Sequence, residues 1–347
     1  MAATPSPVDY ALAVRTARRL APAGPVLTLG EAADVVNELR AVTLQAEHHV
    51  RDVTGLSGPG EPGPATVVDR PGWAAGNVDG FRVILEPLTE RLFADKTPNR
   101  AAAAVTARVA GLQMGGVLSW LSSKVLGQYE VFLPPGAGAG RLTLVAPNIV
   151  ETERRLGVDP HDFRLWVALH EVTHRTQFTA VPWLHDHVRG EVEALLAASR
   201  LDDPTQFVAR VRDGLRERRS VLELLQSPEQ RLVLERVTAF MSLLEGHAEH
   251  VMDGVGPAVV PTVVDIRARF QQRRSERGGP LDRLLRRVLG LDLKALQYAE
   301  GKVFVDHCVD AVGMAGFNRV WDSPETLPTR QEIREPRLWV SRLAGAA

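Results

Sequence analysis

Apolar residues at intervals of three and four dominate the first third of the chain, and this spacing constrains the fold more than any other feature. It recurs in four segments: Pro7–Leu20, Leu29–Val53, Gly72–Phe93 and Ala101–Lys124. Because an α-helix has 3.6 residues per turn, side chains at these intervals share one face, and each segment predicts an amphipathic helix. The N-terminal third is therefore expected to form a helical layer.

Strand patterns are few. Tyr129–Leu133 and Arg141–Val145 read as two short strands on either side of the glycine-rich segment 134–140, which is typical of a hairpin connection. Ser57–Ala65 holds so much glycine and proline that it predicts a loop. We expect a mostly α fold with a small β-sheet, divided into an N-terminal helical segment over 1–65 and a main domain over 66–347, or one continuous domain.

Charge and cysteine content narrow the choice of partner and compartment. Lysine and arginine number 41 against 42 acidic residues, so the composition gives no electrostatic reason to expect a nucleic-acid or membrane partner. A single cysteine, Cys308, excludes an internal disulfide, and the N-terminus lacks a signal-peptide core. A cytoplasmic location is the expectation.

The apolar stretch Val109–Leu126 is interrupted by glycine and serine and predicts a buried helix that falls short of a membrane span.

The most informative segment carries a pair of histidines one helical turn apart. Asp159-Pro160 is a good N-cap and first-turn pair, and the helix it predicts ends before Pro182. Along this helix His170 and His174 fall on one stripe, whose other members are Phe163, Val167 and Phe178. Imidazoles at positions i and i+4 are neighbours and can hold one zinc ion at about 2.0–2.1 Å per Zn–N bond. The stripe predicts that both histidines face inward.

Glu171 is rotated by about 100° from the histidine stripe. Its carboxylate therefore cannot easily join the same face as a ligand, but it can reach a water on the open side of the metal and take a proton from it. The H-E-x-x-H spacing thus predicts His170 and His174 as zinc ligands and Glu171 as a general base.

A catalytic zinc usually has three protein ligands, so a third is required. Ser227–Asp253 predicts a long amphipathic helix that begins with a capping box and proline at the first helical position. Its apolar stripe includes Glu245, and a buried carboxylate needs a partner. Gly246 costs about 1 kcal/mol of helix propensity, which indicates close approach of another helix. We expect Gly246 and Ala248 to admit the histidine helix, with Glu245 as the third ligand.

These motifs resemble the gluzincin metallopeptidases, in which an E-G-x-A sequence on a second helix supplies the third ligand. The resemblance implies Glu245 in that role. A second register is similar to the thermolysin-like pattern, in which a glutamate ligand precedes a supporting aspartate by four residues. That register implies Glu249 as the ligand and Asp253 as its support. In the first register, Glu249 would instead hydrogen-bond a ligating histidine.

Most of residues 66–340 resembles a family of actinobacterial zinc-dependent metalloproteases and hydrolases, linked by name to deazaflavin coenzyme biosynthesis. The resemblance rests on the segments LGQYEVFLP, HEVTHRTQF, LLEGHAEHVMD, LQYAEGKVFVDHCVD and GFNRVWDSPETLPT. It implies Zn²⁺ as cofactor, and the link to the coenzyme implies no particular residue.

Zincins often use a further Tyr or His to stabilise the oxyanion, and Tyr298, His307 and His247 are the candidates. Tyr298 and His307 are also explained as packed residues of an amphipathic helix, while His247 and His250 fit surface or supporting roles. His185 and His187 are expected in a solvated turn after Pro182.

The expected function is hydrolysis of a peptide or small amide substrate by metal-activated water, with Arg141–Val145 as an edge strand that pairs with an extended substrate. The alternative is a non-catalytic scaffold or interaction protein that keeps zinc for folding. An open fourth ligand position would favour the enzyme, and a fourth protein ligand would favour the scaffold.

Overall fold

The computed structural model describes residues 6–60, 63–93, 100–138, 140–198, 228–275 and 291–345. The chain divides into two units, one made of residues 1–180 and 248–285, the other of residues 181–247 and 286–347. Residues on both sides of position 65 belong to the first unit.

Helices form most of the described residues of both units, and three short strands lie among those of the first. The first unit contains α1 (Tyr10–Leu20), α2 (Leu29–Thr54), β1 (Thr66–Val68), α3 (Arg70–Phe93), α4 (Arg100–Leu121), β2 (Gly127–Glu130), β3 (Arg141–Val145), α5 (Ala146–Leu156), α6 (Pro160–Ala180) and α9 (Val263–Ser275). The second contains α7 (Trp183–Ala198), α10 (Leu291–Phe317), two 3₁₀ turns (Asn318–Trp321 and Pro324–Thr326), α11 (Arg330–Arg334) and α12 (Pro336–Ala344). Helix α8 (Pro228–Val255) contributes residues to both units.

The predicted helices of the N-terminal third are confirmed, and side-chain caps account for where two of them begin. The Asp9 carboxylate accepts a hydrogen bond of 2.8 Å from the backbone N–H of Leu12 at the start of α1. At the start of α2, Thr28 and Glu31 form a reciprocal capping box. Each cap satisfies N–H groups that have no partner within the helix.

The three strands form one sheet in the order β1-β3-β2. β1 runs parallel to β3, with Thr66 opposite Thr143, and β2 runs antiparallel to β3, with Gly127 opposite Leu144. The expected fold class, mostly α with a small sheet, is confirmed. The prediction of Arg141–Val145 as an edge strand was wrong, because β1, which sequence patterns missed, covers its outer side. Among the described strands, β2 is the edge on the hairpin side.

The core of the first unit surrounds α6. Side chains from α2, β3, α5 and α8 pack with those of α6 in one hydrophobic cluster. Phe163, Leu165 and Leu169 of α6 are fully buried there. Helix α6 is therefore a buried helix, held on several sides by the elements of its own unit.

Helix α4 is less buried than its sequence predicts. Val109 and Leu112 are 48% and 50% exposed, whereas Leu118 is 3% exposed, so the helix expected to be buried over Val109–Leu126 is buried only in part. Within the described part of the chain, the segment Ala101–Leu121 forms a helix that could cross a membrane, judged by its length and its apolar composition alone.

The second unit packs around aromatic side chains of its C-terminal helices. The rings of Phe304 and Phe317 both lie against Trp339, at centroid distances of 5.6 and 6.0 Å. The prediction of a turn around His185 and His187 was wrong, because both lie in helix α7. Pro182 immediately precedes this helix, where a missing backbone N–H costs little.

Candidate metal centre

Two histidines interrupt an otherwise buried stretch of α6. Every side chain from 162 to 178 is buried except those of His170 and His174, which are partly exposed. The expectation that these histidines face into the core is corrected accordingly, since they occupy the accessible positions of the helix. A ligand that enters from solvent can therefore reach both imidazoles.

The two rings are arranged as a pair of ligands to one ion. Nε2 of His174 lies 3.2 Å from Nε2 of His170. Nδ1 of His174 lies 3.0 Å from Oε1 of the buried Gln177. If Nδ1 carries the proton and donates it to this oxygen, the lone pair of Nε2 is free to bind a metal. Gln177 therefore orients the ring, and with Nδ1 protonated this contact leaves His174 in the tautomer that ligation requires.

A carboxylate completes the set. One oxygen of Glu245 and one ring nitrogen from each of His170 and His174 lie within 4.8 Å of one another. Two nitrogens that bind one tetrahedral zinc at 2.0–2.1 Å stand roughly 3.3–3.4 Å apart, close to the separation found here. The residues present thus fit a zinc ion in both donor chemistry and nitrogen spacing.

Gly246, next to this carboxylate, lies where two helices of the second unit cross. A Cβ atom at Gly246 would overlap the backbone of Gly301 on α10, and one at Gly301 would overlap the backbone of Ser242 on α8. The close helix approach expected at Gly246 is present, but its neighbour is α10. The crossing fixes the position of α8 at the residue that follows Glu245.

Glu171 lies against the edge strand. Its side chain is 7% exposed. A Cβ added at Gly127, the first residue of β2, would lie 2.6 to 2.9 Å from the Cγ, Cδ and Oε1 atoms of Glu171. Only a residue without a side chain leaves the carboxylate where it is. Sequence reasoning missed this contact because 44 positions separate the two residues.

A polar network on the other face of the sheet holds β2 in place. The buried Glu130 carboxylate accepts hydrogen bonds from the Thr143 hydroxyl and the Arg141 guanidinium, each at 2.5 Å. The side-chain oxygen of Gln128 accepts a hydrogen bond of 2.9 Å from the indole N–H of Trp73. These bonds fix the register that places Gly127 beside Glu171.

The remaining predicted site residues are placed as follows. Glu249 is partly buried and outside the group formed by the two histidines and Glu245. Asp253 forms an ion pair of 2.5 Å with Arg267 on α9. His307 is partly buried on α10, and the side chain of Tyr298 lies outside the described residues.

His247 is fully buried, which excludes the surface position and leaves the supporting role of the two that were expected. Its ring packs 5.6 Å from Phe317 and 5.5 Å from Trp321. Cys308 is buried as expected of a core thiol, and burial, followed by the charge of Glu332, raises its pKa to about 12.

Comparison with known proteins places this chain in a family. Residues 8–340 match the family described as zincin-like metallopeptidase. The chain belongs to this family. Among solved structures, this zincin-like chain is similar to a protein from Chloroflexus aurantiacus described as a candidate hydrolase with a novel fold. The identity is 31% and the TM-score 0.71, over 97% of this chain and 99% of the other. No curated protein gives a significant match.

The resemblance to zincins predicted from the H-E-x-x-H and E-G-x-A motifs is confirmed by this match. One supporting residue of the zincin-like centre escaped the sequence reasoning although a signal was present. Gln177 follows His174 by three positions, a spacing that places both side chains on neighbouring parts of the helix surface.

Proposed function

We propose that this zincin-like chain is a zinc-dependent hydrolase that cleaves a peptide or amide bond. The observation that carries the proposal is the group of His170, His174 and Glu245, whose ligand atoms lie within 4.8 Å of one another. The buried Glu171 directly follows His170 on the same helix. Three protein ligands with one position left for water is the usual composition of a catalytic zinc site.

In this proposal the two imidazoles and the Glu245 carboxylate hold the metal, and Gln177 keeps His174 in the ligating tautomer. When bound, zinc supplies Lewis acidity that makes water a nucleophile near neutral pH. The protein contributes the ligands, two of them from α6 in the core of the first unit and one from α8 next to its crossing with α10.

Glu171 moves the proton. Its carboxylate takes a proton from the attacking water as the water oxygen bonds to the substrate carbonyl carbon. The same group then delivers that proton to the leaving nitrogen as the carbon–nitrogen bond breaks, which restores the carboxylate. Contact with Gly127 and burial beside β2 limit the positions that this group can occupy.

β2 is the strand that we propose for substrate pairing. It is the edge of the described sheet on the side of Glu171, in place of the Arg141–Val145 segment. An extended peptide added to such an edge forms main-chain hydrogen bonds that orient its carbonyl groups. A peptide or small amide substrate fits this arrangement, with a cytoplasmic location and no nucleic-acid or membrane partner.

The alternative function is a scaffold that keeps zinc for folding. A structural zinc site normally has four protein ligands. Within the described part of the chain, the group at His170 contains three His, Cys, Asp or Glu side chains and no fourth. This observation favours the enzyme.

We expect the protein to purify with about one zinc ion per chain, since the described residues offer one His-His-Glu group. Elemental analysis of protein prepared without chelators measures this ratio. Chelation should remove hydrolysis of a peptide library, and stoichiometric zinc should restore it. Metal-free protein that binds no added zinc would end the proposal.

Gly127→Ala should lower kcat by about 100-fold while leaving zinc content unchanged. The added methyl group would displace the Glu171 carboxylate, and a shift of about 1 Å in a catalytic group can cost that much. Gly116→Ala is the matched control, because a Cβ at that helical glycine meets no atom within 4 Å. Unchanged kcat in a Gly127→Ala protein of normal melting temperature would remove Glu171 from its proposed role.

A further inference from the structure

A cavity of about 420 Å³ lies behind the histidine helix, within the first unit. Its wall is formed by the end of α2, the glycine- and proline-rich loop that follows it, the hairpin end of the sheet and the last turns of α6. This volume is within the range of small-molecule sites in proteins.

The cavity is on the opposite side of α6 from the metal centre. Arg175, Thr176 and Thr179 line it. With 3.6 residues per turn, the mean direction of these three side chains around the helix axis is roughly opposite to that of His170 and His174. A molecule in the cavity therefore contacts the back of the metal helix and does not touch the imidazoles.

One buried hydrogen-bond donor of a described residue in the cavity wall has no acceptor. Arg175 is 6% exposed. Its Nη1 donates to the Gly63 carbonyl at 2.7 Å, and its Nη2 pairs with Glu47. Its Nε–H is buried without a hydrogen-bond partner in the described structure. Nearly all buried donors in proteins are paired, so this Nε–H is a candidate donor to a ligand of the cavity.

A phenol offers a second donor in the lining of the same cavity. Tyr129 lines the cavity from β2, and its ring stacks on Phe178 at 5.6 Å. Its hydroxyl makes no hydrogen bond within the described residues. Burial raises the pKa of Tyr129, and the positive charge of Arg175 opposes that rise, so the hydroxyl stays protonated and able to donate at neutral pH.

The charges around the cavity leave one cation uncompensated. Glu47 offsets Arg175, and the guanidinium of Arg141 is held by Glu130. Arg51, exposed on the last turn of α2, lines the cavity and has no ion pair with a described residue. The balance of one positive charge with two unpaired donors matches a single negative charge that carries acceptor oxygens.

We propose that this cavity binds a small monoanionic carboxylate, as a ligand site separate from the metal centre. One carboxylate oxygen accepts from the Arg175 Nε–H and the other from the Tyr129 hydroxyl, while Arg51 supplies the opposite charge. The site goes beyond the proposed hydrolysis and does not depend on it.

Binding of butyrate and of neutral, isosteric butyramide, followed by NMR titration of the full chain at pH 7, tests the proposal. Butyrate should bind at least 10-fold more tightly than butyramide, with shift changes centred on Tyr129 and Thr176. Equal binding of the two would overturn the proposal, and tighter binding of inorganic phosphate would overturn the carboxylate assignment.

Carboxylates also bind zinc, so the location needs its own test. Butyrate affinity should be the same, within twofold, in zinc-loaded protein, in protein stripped by chelation and in a His170→Ala variant. Loss of binding with the metal would assign the butyrate to the metal centre and overturn the proposed site. In the His170→Ala protein, the affinities for N-acetyltetraalanine and butyrate identify the source of the carboxylate. If the peptide binds more tightly than butyrate, the natural ligand is a peptide C-terminus. If the peptide binds more weakly, the natural ligand is a free small acid.

Two variants test the residues. Tyr129→Phe removes one donor but keeps the ring, and Arg51→Gln removes the charge. Each should weaken butyrate binding by about 10-fold, Tyr129→Phe through loss of one hydrogen bond to a charged group and Arg51→Gln through loss of the opposite charge. Arg40→Gln, an exposed substitution on the same helix, should have no effect. Unchanged affinity in both test variants would overturn the assignment to this cavity.

Discussion

Glu171→Gln should lower kcat for peptide or amide hydrolysis by about 10²- to 10⁴-fold, the range that general-base catalysis contributes. Glutamine has the shape of glutamate, so the packing of this buried side chain against Gly127 is kept. An amide cannot take a proton from water at neutral pH. The variant should therefore bind zinc with unchanged affinity, because the carboxylate is assigned to water and not to the metal.

Two measurements on the same Glu171→Gln preparation are needed, namely kcat and zinc content by elemental analysis. Glu235→Gln, an exposed change on α8, controls for the charge lost and should alter neither. Loss of zinc from Glu171→Gln would make Glu171 a metal ligand. Full activity with zinc bound would assign the proton transfer to another group.

Features set by neighbouring residues in the sequence could be predicted. The N-terminal helices follow from apolar spacing and from local caps such as Asp9 and Thr28. The pairing of His170 with His174 follows from helix geometry alone, because the two side chains are one turn apart. Such features depend on contacts within about four residues, and the sequence pattern records those directly.

Features set by distant contacts could not be predicted. β1 is three residues long, which is too short to show alternation, yet it covers the outer side of β3 and makes that strand central. The partner of Gly246 is Gly301, 55 positions away. A glycine in a helix indicates that something approaches closely, but the identity of the neighbour depends on the tertiary fold.

The turn predicted around His185 shows a different error. Pro182 was interpreted as the end of helical structure, whereas it stands immediately before α7. Proline both ends one helix and favours the start of the next, because its missing N–H is costly only inside a helix. Where two helices adjoin, the residue itself does not distinguish these roles.

The third ligand is the point where the sequence offers two registers four residues apart. Glu245 and Glu249 share one face of α8, so helix geometry does not separate them. In the structure the group with His170 and His174 contains Glu245. The aspartate that would support the second register, Asp253, forms an ion pair with Arg267.

Glu245→Ala should therefore lose nearly all its zinc under mild chelation, because two protein ligands remain. Glu249→Ala should lose it only in part, with affinity reduced roughly 10- to 100-fold if this carboxylate supports a ligating histidine. Competition with a chromophoric chelator measures both affinities, and Asp253→Ala serves as the matched control, which should change zinc affinity less than either. The reverse order, with Glu249→Ala the more severe and Asp253→Ala also weakened, would make Glu249 the ligand and Asp253 its support. Such a result would move the third ligand by one helical turn along α8. The proposed proton transfer at Glu171 would stay in place, because the two histidines and the base all belong to α6.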